Sequence, residues 1–217
     1  MEVNFNAKFI DDNGFNASFG EVIQSGGSNQ MDQFLAGTLT DLTSPVTSIT
    51  QQYALYRCAS LESLDLPNCV SITGGSSFPQ TSLKHVNAPK LETLAASAFS
   101  ATLLEEIELP SLLTFVNQGQ FNACTLLKYA DLGKVNRISR QCFQDCVALE
   151  AVVLRKTDEI TTLENVNAFT GSGVALGTGY VYVTDALVNS YKAASGWSTY
   201  ATQIKGISEL PSEYQRS

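Results

Sequence analysis

One spacing constrains this 217-residue chain more than anything else in it: a leucine-led segment that returns every 21 to 23 residues. The segments starting at Leu61, Leu83, Leu104, Leu127 and Leu149 read LESLDLP, LKHVNAP, LEEIELP, LKYADLG and LEAVVLR. A second half follows each, with apolar residues three apart at Cys69/Ile72, Leu91/Leu94, Leu112/Phe115, Val135/Ile138 and Ile160/Leu163. An aromatic closes the unit at Phe78, Phe99, Phe121, Phe143 and Phe169. A small residue then precedes the next leucine: Thr81, Thr102, Cys124 or Cys146, with Cys58 in the same place before Leu61. Upstream the pattern continues in degraded form through Val46/Ile49 and Leu55, so an irregular first repeat starts near Phe34. A unit this short cannot bury its own apolar side and must stack on copies of itself, which makes a solenoid.

Within each unit, period-two alternation turns Leu64 and Leu66 inward and Ser63 and Asp65 outward, as a half-buried strand requires. Stacking places Leu64, Val86, Ile107, Ala130 and Val152 in one buried column. About six units at the roughly 4.8 Å strand spacing make a rod on the order of 30 Å long. Pro67, Pro89 and Pro110 end the strand in three repeats, where a missing N–H suits a turn. The sequence resembles the BspA-like class of leucine-rich repeat, whose units read F-x-x-C-x-x-L-x-x-I-x-L-P followed by a V-x-x-I half. That resemblance implies a right-handed solenoid, and it implies recognition or adhesion far more often than catalysis. The expected fold class is therefore a β-rich leucine-rich repeat solenoid of about six repeats of 21–26 residues. Its expected parts are a β-hairpin attachment unit at 1–23, a flexible linker at 24–33, the array at 34–170 and a strand-helix cap at 171–217.

Two columns of the array are candidate surfaces. Directly after the leading leucine come Glu62, Lys84, Glu105, Lys128 and Glu150, alternating in sign at every step. This reads as a structural ladder favouring correct register, each exposed pair contributing about 0–1 kcal/mol. The outward strand positions, Ser63/Asp65, His85/Asn87, Glu106/Glu108 and Tyr129/Asp131, continue as Ala151/Val153. They form an acidic face with one tyrosine and the only histidine, open to a partner or left as ordinary solvated surface.

Charge and composition narrow the function. With 13 basic and 21 acidic side chains the formal charge is −8, and no Lys/Arg cluster offsets it, which argues against nucleic acid as a partner. No apolar run suits membrane insertion, and the N-terminus MEVNFNAKFIDDNG has neither the basic nor the apolar region of a signal peptide. The five cysteines lack the paired spacing of a zinc or redox site and are expected as reduced, mostly buried thiols of a protein folded in the cytoplasm. With His85 as the lone histidine, histidine triads and multi-histidine metal sites fall away. Cys142 and Cys146 flank Phe143 at the junction of two repeats. The stretch GSGVALGTG, 171–179, lacks the Lys-Ser/Thr of a phosphate cradle and reads as a loop leaving the solenoid. Carboxylate pairs such as Glu106/Glu108 project from a flat strand without a cleft. No catalytic, cofactor-binding or metal residue is assigned, and the chain is expected not to be an enzyme.

The ends differ from the array. Tyr180-Val-Tyr-Val183 alternates as a strand, Thr184-Asp185 can cap a helix through Leu187, Tyr191 and Ala194, and Trp197 with Tyr200 can close the last apolar face; this segment resembles the closing unit of many BspA-like arrays. At the other end FNAKF (5–9) recurs as FNASF (15–19) around Asn13-Gly14, a hairpin signal. An odd loop, such as three residues with Gly14 left-handed, sets the phenylalanines on one side. Phe5, Phe9, Phe15 and Phe19 are the candidate attachment residues, toward a virion component or a sister copy. The leader resembles those of leucine-rich repeat proteins encoded in prophages of gut bacteria. The leading expectation is thus a non-enzymatic virion-associated solenoid, a tail or decoration protein presenting its array to a host surface protein or glycan. A cell-surface or secreted adhesin, and a cytoplasmic scaffold or enzyme accessory, are the alternatives.

Overall fold

The computed structural model describes residues 41–50, 52–55, 59–79 and 81–215, and the backbone of two short strands at 9–10 and 16–17. Those two strands, β1 (Phe9–Ile10) and β2 (Asn16–Ala17), pair antiparallel with Ile10 opposite Asn16. The turn between them, with Gly14, lies outside the described residues. Phe5, Phe15, Phe19, the linker at 24–33 and the repeat start at Phe34 lie outside the described residues.

From residue 41 the chain lays down two short strands per coil. In chain order they are β3 (Asp41–Thr43) and β4 (Ser48–Ile49), β5 (Ser63–Asp65) and β6 (Ser71–Ile72), β7 (His85–Asn87) and β8 (Thr93–Leu94), β9 (Glu106–Glu108) and β10 (Thr114–Phe115), β11 (Tyr129–Asp131) and β12 (Arg137–Ile138), β13 (Ala151–Leu154) and β14 (Thr162–Leu163). Every pairing among them is parallel and joins equivalent positions of successive coils, so Leu42 lies beside Leu64, Leu64 beside Val86, and Ala130 between Ile107 and Val152. The first strands of the coils form the broad face and the second strands the narrow one. On the broad face the ladder runs β3-β5-β7, is interrupted, and resumes β9-β11-β13; on the narrow face it runs β4-β6-β8-β10, and β12-β14 form a separate pair. Leu64, Ile107, Ala130 and Val152 are fully buried in the expected column, while Val86, on the strand where the broad ladder stops, is half-buried.

The aromatic column is the spine of the core. Phe78, Phe99, Phe121, Phe143 and Phe169 are all solvent-inaccessible and stack nearly parallel, with centroids 5.3, 6.0, 5.4 and 5.6 Å apart. Each such ring gains roughly 3 kcal/mol from burial and about 0.5–1.5 kcal/mol more from its ring partner. A backbone device holds the column. Two residues before the closing apolar residue of a coil stand Tyr53, Ser76, Ser97, Gly119 and Gln141, and two residues after it Ala101, Ala123, Asp145 and Gly171, all with φ between 50° and 72°. The N–H groups of Ser97, Phe99 and Ala101 then donate in turn to Gln118, Gln120 and Asn122 carbonyls of the next coil, at 3.1, 3.0 and 2.8 Å. Backbone polar groups that a tight bend would orphan are thereby paired along the stack. The small-residue column closes the bend: Thr81 and Thr102 hydroxyls donate to the Phe78 and Phe99 carbonyls at 2.9 Å, and the Cys124 and Cys146 thiols donate to the Phe99 and Phe121 carbonyls at 3.0 and 3.1 Å.

The glycine-rich stretch does not leave the solenoid as a loop. It forms a helical turn, α1 (Gly173–Leu176), with the Ser172 hydroxyl accepting from the Ala175 N–H and Gly177 left-handed at its end. Glycine is required at 173 and 179 because a Cβ there would sit 2.0 and 2.1 Å from the Leu149 carbonyl oxygen. The cap then follows as β15 (Tyr180–Val183) beside β13, a 3₁₀ turn at Asp185–Leu187, α2 (Val188–Ala193), a 3₁₀ stretch at Trp197–Gln203, and β16 (Ile204–Gly206) beside β15. Thr184 does not cap through its side chain; its hydroxyl donates to the Lys156 carbonyl at 2.5 Å. Trp197 is fully buried, its indole N–H donating to the Thr161 carbonyl at 2.7 Å, and Trp197 and Tyr200 cover the last ring of the stack, Phe169, at 6.0 and 5.3 Å.

Candidate binding surfaces

The outward positions of the broad face divide into two unlike halves. On β5, β7 and β9 the side chains of Ser63, Asp65, His85, Asn87, Glu106 and Glu108 remain wholly or partly exposed. They line a shallow depression of about 300 Å³ across the interrupted ladder. Asn87 donates to Asp65 at 2.7 Å, linking β7 to β5 on the surface. Beneath this face Leu64 and Ile107 are buried in the core while Val86 is half-buried, and its charge is acidic with His85 in the middle.

The other half is covered, which corrects the reading of Tyr129 and Asp131 as surface residues. After β16 the chain folds back over the outside of β11, β13 and β15, and Tyr129, Ala151, Val153, Tyr182, Leu210 and Tyr214 form a second apolar cluster there. The Tyr129 and Tyr214 rings stack at 4.7 Å and 8°. Burial, reinforced by the Asp131 carboxylate, pushes the Tyr129 phenol up to about 12. Asp131 is only 6% exposed and is neutralised by Arg155, whose guanidinium reaches it at 2.6 Å. The signal for this cover was in the sequence: Ala151-Val-Val-Leu154 is a continuous apolar run, the mark of a strand buried on both faces.

The alternating column resolves into pairs. Lys84 meets Glu62 at 3.0 Å and Lys128 meets Glu105 at 2.9 Å, all four side chains 45–60% exposed. The Lys128 ammonium holds the Glu105 carboxyl below its usual range. Glu150 is bonded elsewhere, accepting from the Tyr214 hydroxyl at 2.7 Å. The cysteines at 69, 124, 142 and 146 are buried free thiols, and burial raises each of them, Cys69 to about 11. Among the described residues no cluster of three His, Cys, Asp or Glu could hold a metal ion, and no helix is long and apolar enough to cross a membrane.

A second depression, which the sequence reading missed, lies where the returning tail meets the sheet edge. It has a volume of about 530 Å³ and is bounded by Tyr180, Tyr182 and Tyr214, with Glu150, Lys205 and Glu209 at its rim. In the sequence Tyr180 and Tyr182 show only as part of an alternating strand.

A sequence-family comparison identifies the array of stacked parallel coils: the BspA type leucine rich repeat region matches in six copies across residues 47–174, more than half of the chain. The chain belongs to the BspA type leucine-rich repeat family. Comparison with curated proteins and with solved structures gives no match. BspA-type repeats are typically non-enzymatic and serve protein–protein interaction and adhesion.

Proposed function

We propose that this BspA-type solenoid is a non-enzymatic adhesion protein that folds in the bacterial cytoplasm and is carried on a phage or prophage particle through residues 1–23. It presents the open half of its broad face to a host surface protein or glycan. The observation that carries the recognition part is the contrast between the two halves of the broad face: the chain covers β11 to β15 with its own tail and leaves the outward side chains of β5 to β9 wholly or partly exposed. A partner with a basic rim suits Asp65, Glu106 and Glu108 around His85, because complementary charge speeds encounter and selects against wrong partners. The attachment part rests on the paired leader and on its resemblance to prophage-encoded leaders.

The test of recognition is adhesion to a panel of bacterial and epithelial cells, comparing the full chain with Asp65→Asn/Glu106→Gln/Glu108→Gln, and photo-cross-linking from a reactive residue placed at 85 or at 114. Loss of adhesion in the variant and cross-links from 85 alone support the reading. Undiminished adhesion, or equal cross-linking from 114 on the narrow face, removes it. For attachment, light scattering on the full chain and on a version lacking 1–23 is decisive. Self-association or particle co-purification of the full chain alone supports a tether, whereas two monomers of equal stability make the leader a passive tail.

A further inference from the structure

A third side of the rod joins the aromatic bend to the broad face, and toward the C-terminal end it is apolar. The outward residues there follow the closing phenylalanine of each coil: Ala101, Leu103 and Glu105 in one coil, Ala123, Leu126 and Lys128 in the next, and Asp145, Val147 and Glu150 in the third. Backbone bonds set these triplets side by side. The Ala101 N–H donates to the Asn122 carbonyl, the Ala123 N–H to Gln144, the Lys128 N–H to Glu105 and the Glu150 N–H to Lys128, all at 2.7–2.8 Å. Leu103, Leu126 and Val147 are 38%, 45% and 52% exposed, and Leu176 at the end of α1 is 64% exposed. Since α1 rests on the third of these coils, its Gly173 N–H donating to the Cys146 carbonyl at 3.1 Å, the four side chains continue one stripe. Three strand spacings make it roughly 14 Å long. A run of apolar surface left in water and rimmed by charge marks an interaction surface.

The charges beside the stripe select its occupant. They are of both signs, with Lys128 between Glu105 and Glu150, so a partner of one sign meets repulsion as well as attraction. A second copy of the chain matches them in one orientation. Two copies laid face to face in the same direction set the column of Ala101, Ala123 and Asp145 against the column of Glu105, Lys128 and Glu150, which puts Asp145 on the partner's Glu150, carboxylate against carboxylate. Turned end for end, each column faces its own kind. With the two-fold axis between the coils of Leu126 and Val147, Lys128 meets the partner's Glu150, Leu126 the partner's Val147 and Leu103 the partner's Leu176, and symmetry repeats every contact. We propose that this side of the rod is an isologous interface between two antiparallel copies of the chain, with Leu126 and Val147 at its centre. That register covers all four apolar side chains. A contact so short lies at the small end of specific interfaces, which bury about 800 Å² per partner, so the copies should associate with a Kd of about 1–100 µM. The interface is independent of residues 1–23 and of the acidic face, and it stands whether or not either of them binds a partner.

The test is sedimentation velocity on the full chain from about 1 to about 500 µM. Wild type should move with concentration from 23.4 kDa toward twice that mass. Leu126→Glu and, separately, Val147→Glu should weaken association about 10-fold or more with an unchanged melting temperature. Val70→Glu, at an exposed apolar residue on another side of the rod, should leave association as it was. Orientation is read by oxidation with copper phenanthroline. Leu103→Cys mixed with Leu176→Cys should give a disulfide-linked dimer, and Leu103→Cys alone should not, because its two copies lie roughly 14 Å apart in the antiparallel pair. A chain that stays at 23.4 kDa at every concentration overturns the proposal. So does a dimer that Leu126→Glu and Val147→Glu leave intact, which would place the contact elsewhere, and so does a covalent dimer of Leu103→Cys alone, which would mean parallel copies.

Discussion

Replacing alanine by glycine usually destabilises a folded chain, yet at Ala101 and Ala123 it should do the opposite. Their φ angles are 56° and 59°, in the left-handed region where an L-residue's Cβ crowds the following carbonyl at a cost of about 1–2 kcal/mol. Glycine escapes that cost but loses about 0.4–1 kcal/mol more backbone entropy on folding. The difference is a net gain of roughly 0.5–1 kcal/mol per site. For a chain of this size each kilocalorie moves the melting temperature by about 2–4 °C, so either change should raise it by roughly 1–4 °C. Nothing else is disturbed, since the Ala101 and Ala123 N–H groups keep their 2.8 Å bonds to the Asn122 and Gln144 carbonyls. The array already holds glycine at the equivalent position, Gly171, with φ of 72°. Thermal unfolding by circular dichroism of both single variants and the double compares them with Ala98→Gly, where a buried methyl is removed at an ordinary φ and stability should fall. Because the two sites lie in successive coils, their sum is read as a cycle rather than assumed additive. If Ala101→Gly and Ala123→Gly lower the melting temperature as Ala98→Gly does, the left-handed bend is not a strained conformation and the account of the spine is wrong.

Other outcomes follow from the same contacts. Phe121→Ala, in mid-stack, should cost about 3–5 kcal/mol by urea unfolding, because the neighbouring rings cannot close the gap. Lys84→Glu should destabilise the chain more than Lys8→Glu at low salt, by no more than about 1 kcal/mol and read as a lower melting temperature, and the difference should vanish in 1 M salt. Tyr214→Ala should open the second apolar cluster and raise dye binding by exposed apolar surface, with near-native secondary structure in the array. At alkaline pH, burial raises the phenols of Tyr129, Tyr182, Tyr191, Tyr200 and Tyr214 above the ordinary value of 10.0. The native state therefore holds protons that the unfolded chain releases. The stability is fully present below pH 10 and is lost as pH rises through the folded values. Tyrosinate absorbance should rise together with unfolding in one step; gradual ionisation of a still-folded chain would contradict it.

The architecture was legible because a stack repeats its demands: a residue that must be buried in one coil must be buried in the next, and Phe78 to Phe169 or Leu64 to Val152 declare themselves by recurrence. The left-handed bends were not legible, since Ser97, Gln141 and Ala101 carry no glycine mark and the strain is compensated by bonds to the following coil. The cover over Tyr129 and Asp131 was missed for a related reason. Repeat logic assigns the same side of every strand to solvent, whereas the tail breaks that equivalence after β9, and only the apolar run at Ala151-Val-Val-Leu154 betrayed it. The tail depression joins Glu150, Tyr180 and Tyr214, residues far apart in the chain with no local pattern to unite them.

The two interruptions in the strand ladders fall at different coil boundaries, one between β7 and β9 and the other between β10 and β12. They are staggered like the joints of brickwork, and the rings of Phe99, Phe121 and Phe143 run unbroken across both. No single plane cuts the rod where every course is open, so a crack begun at one joint meets a continuous course one coil further on. An array assembled this way resists being snapped in the middle when pulled from its ends, and it should fail by peeling from a terminus.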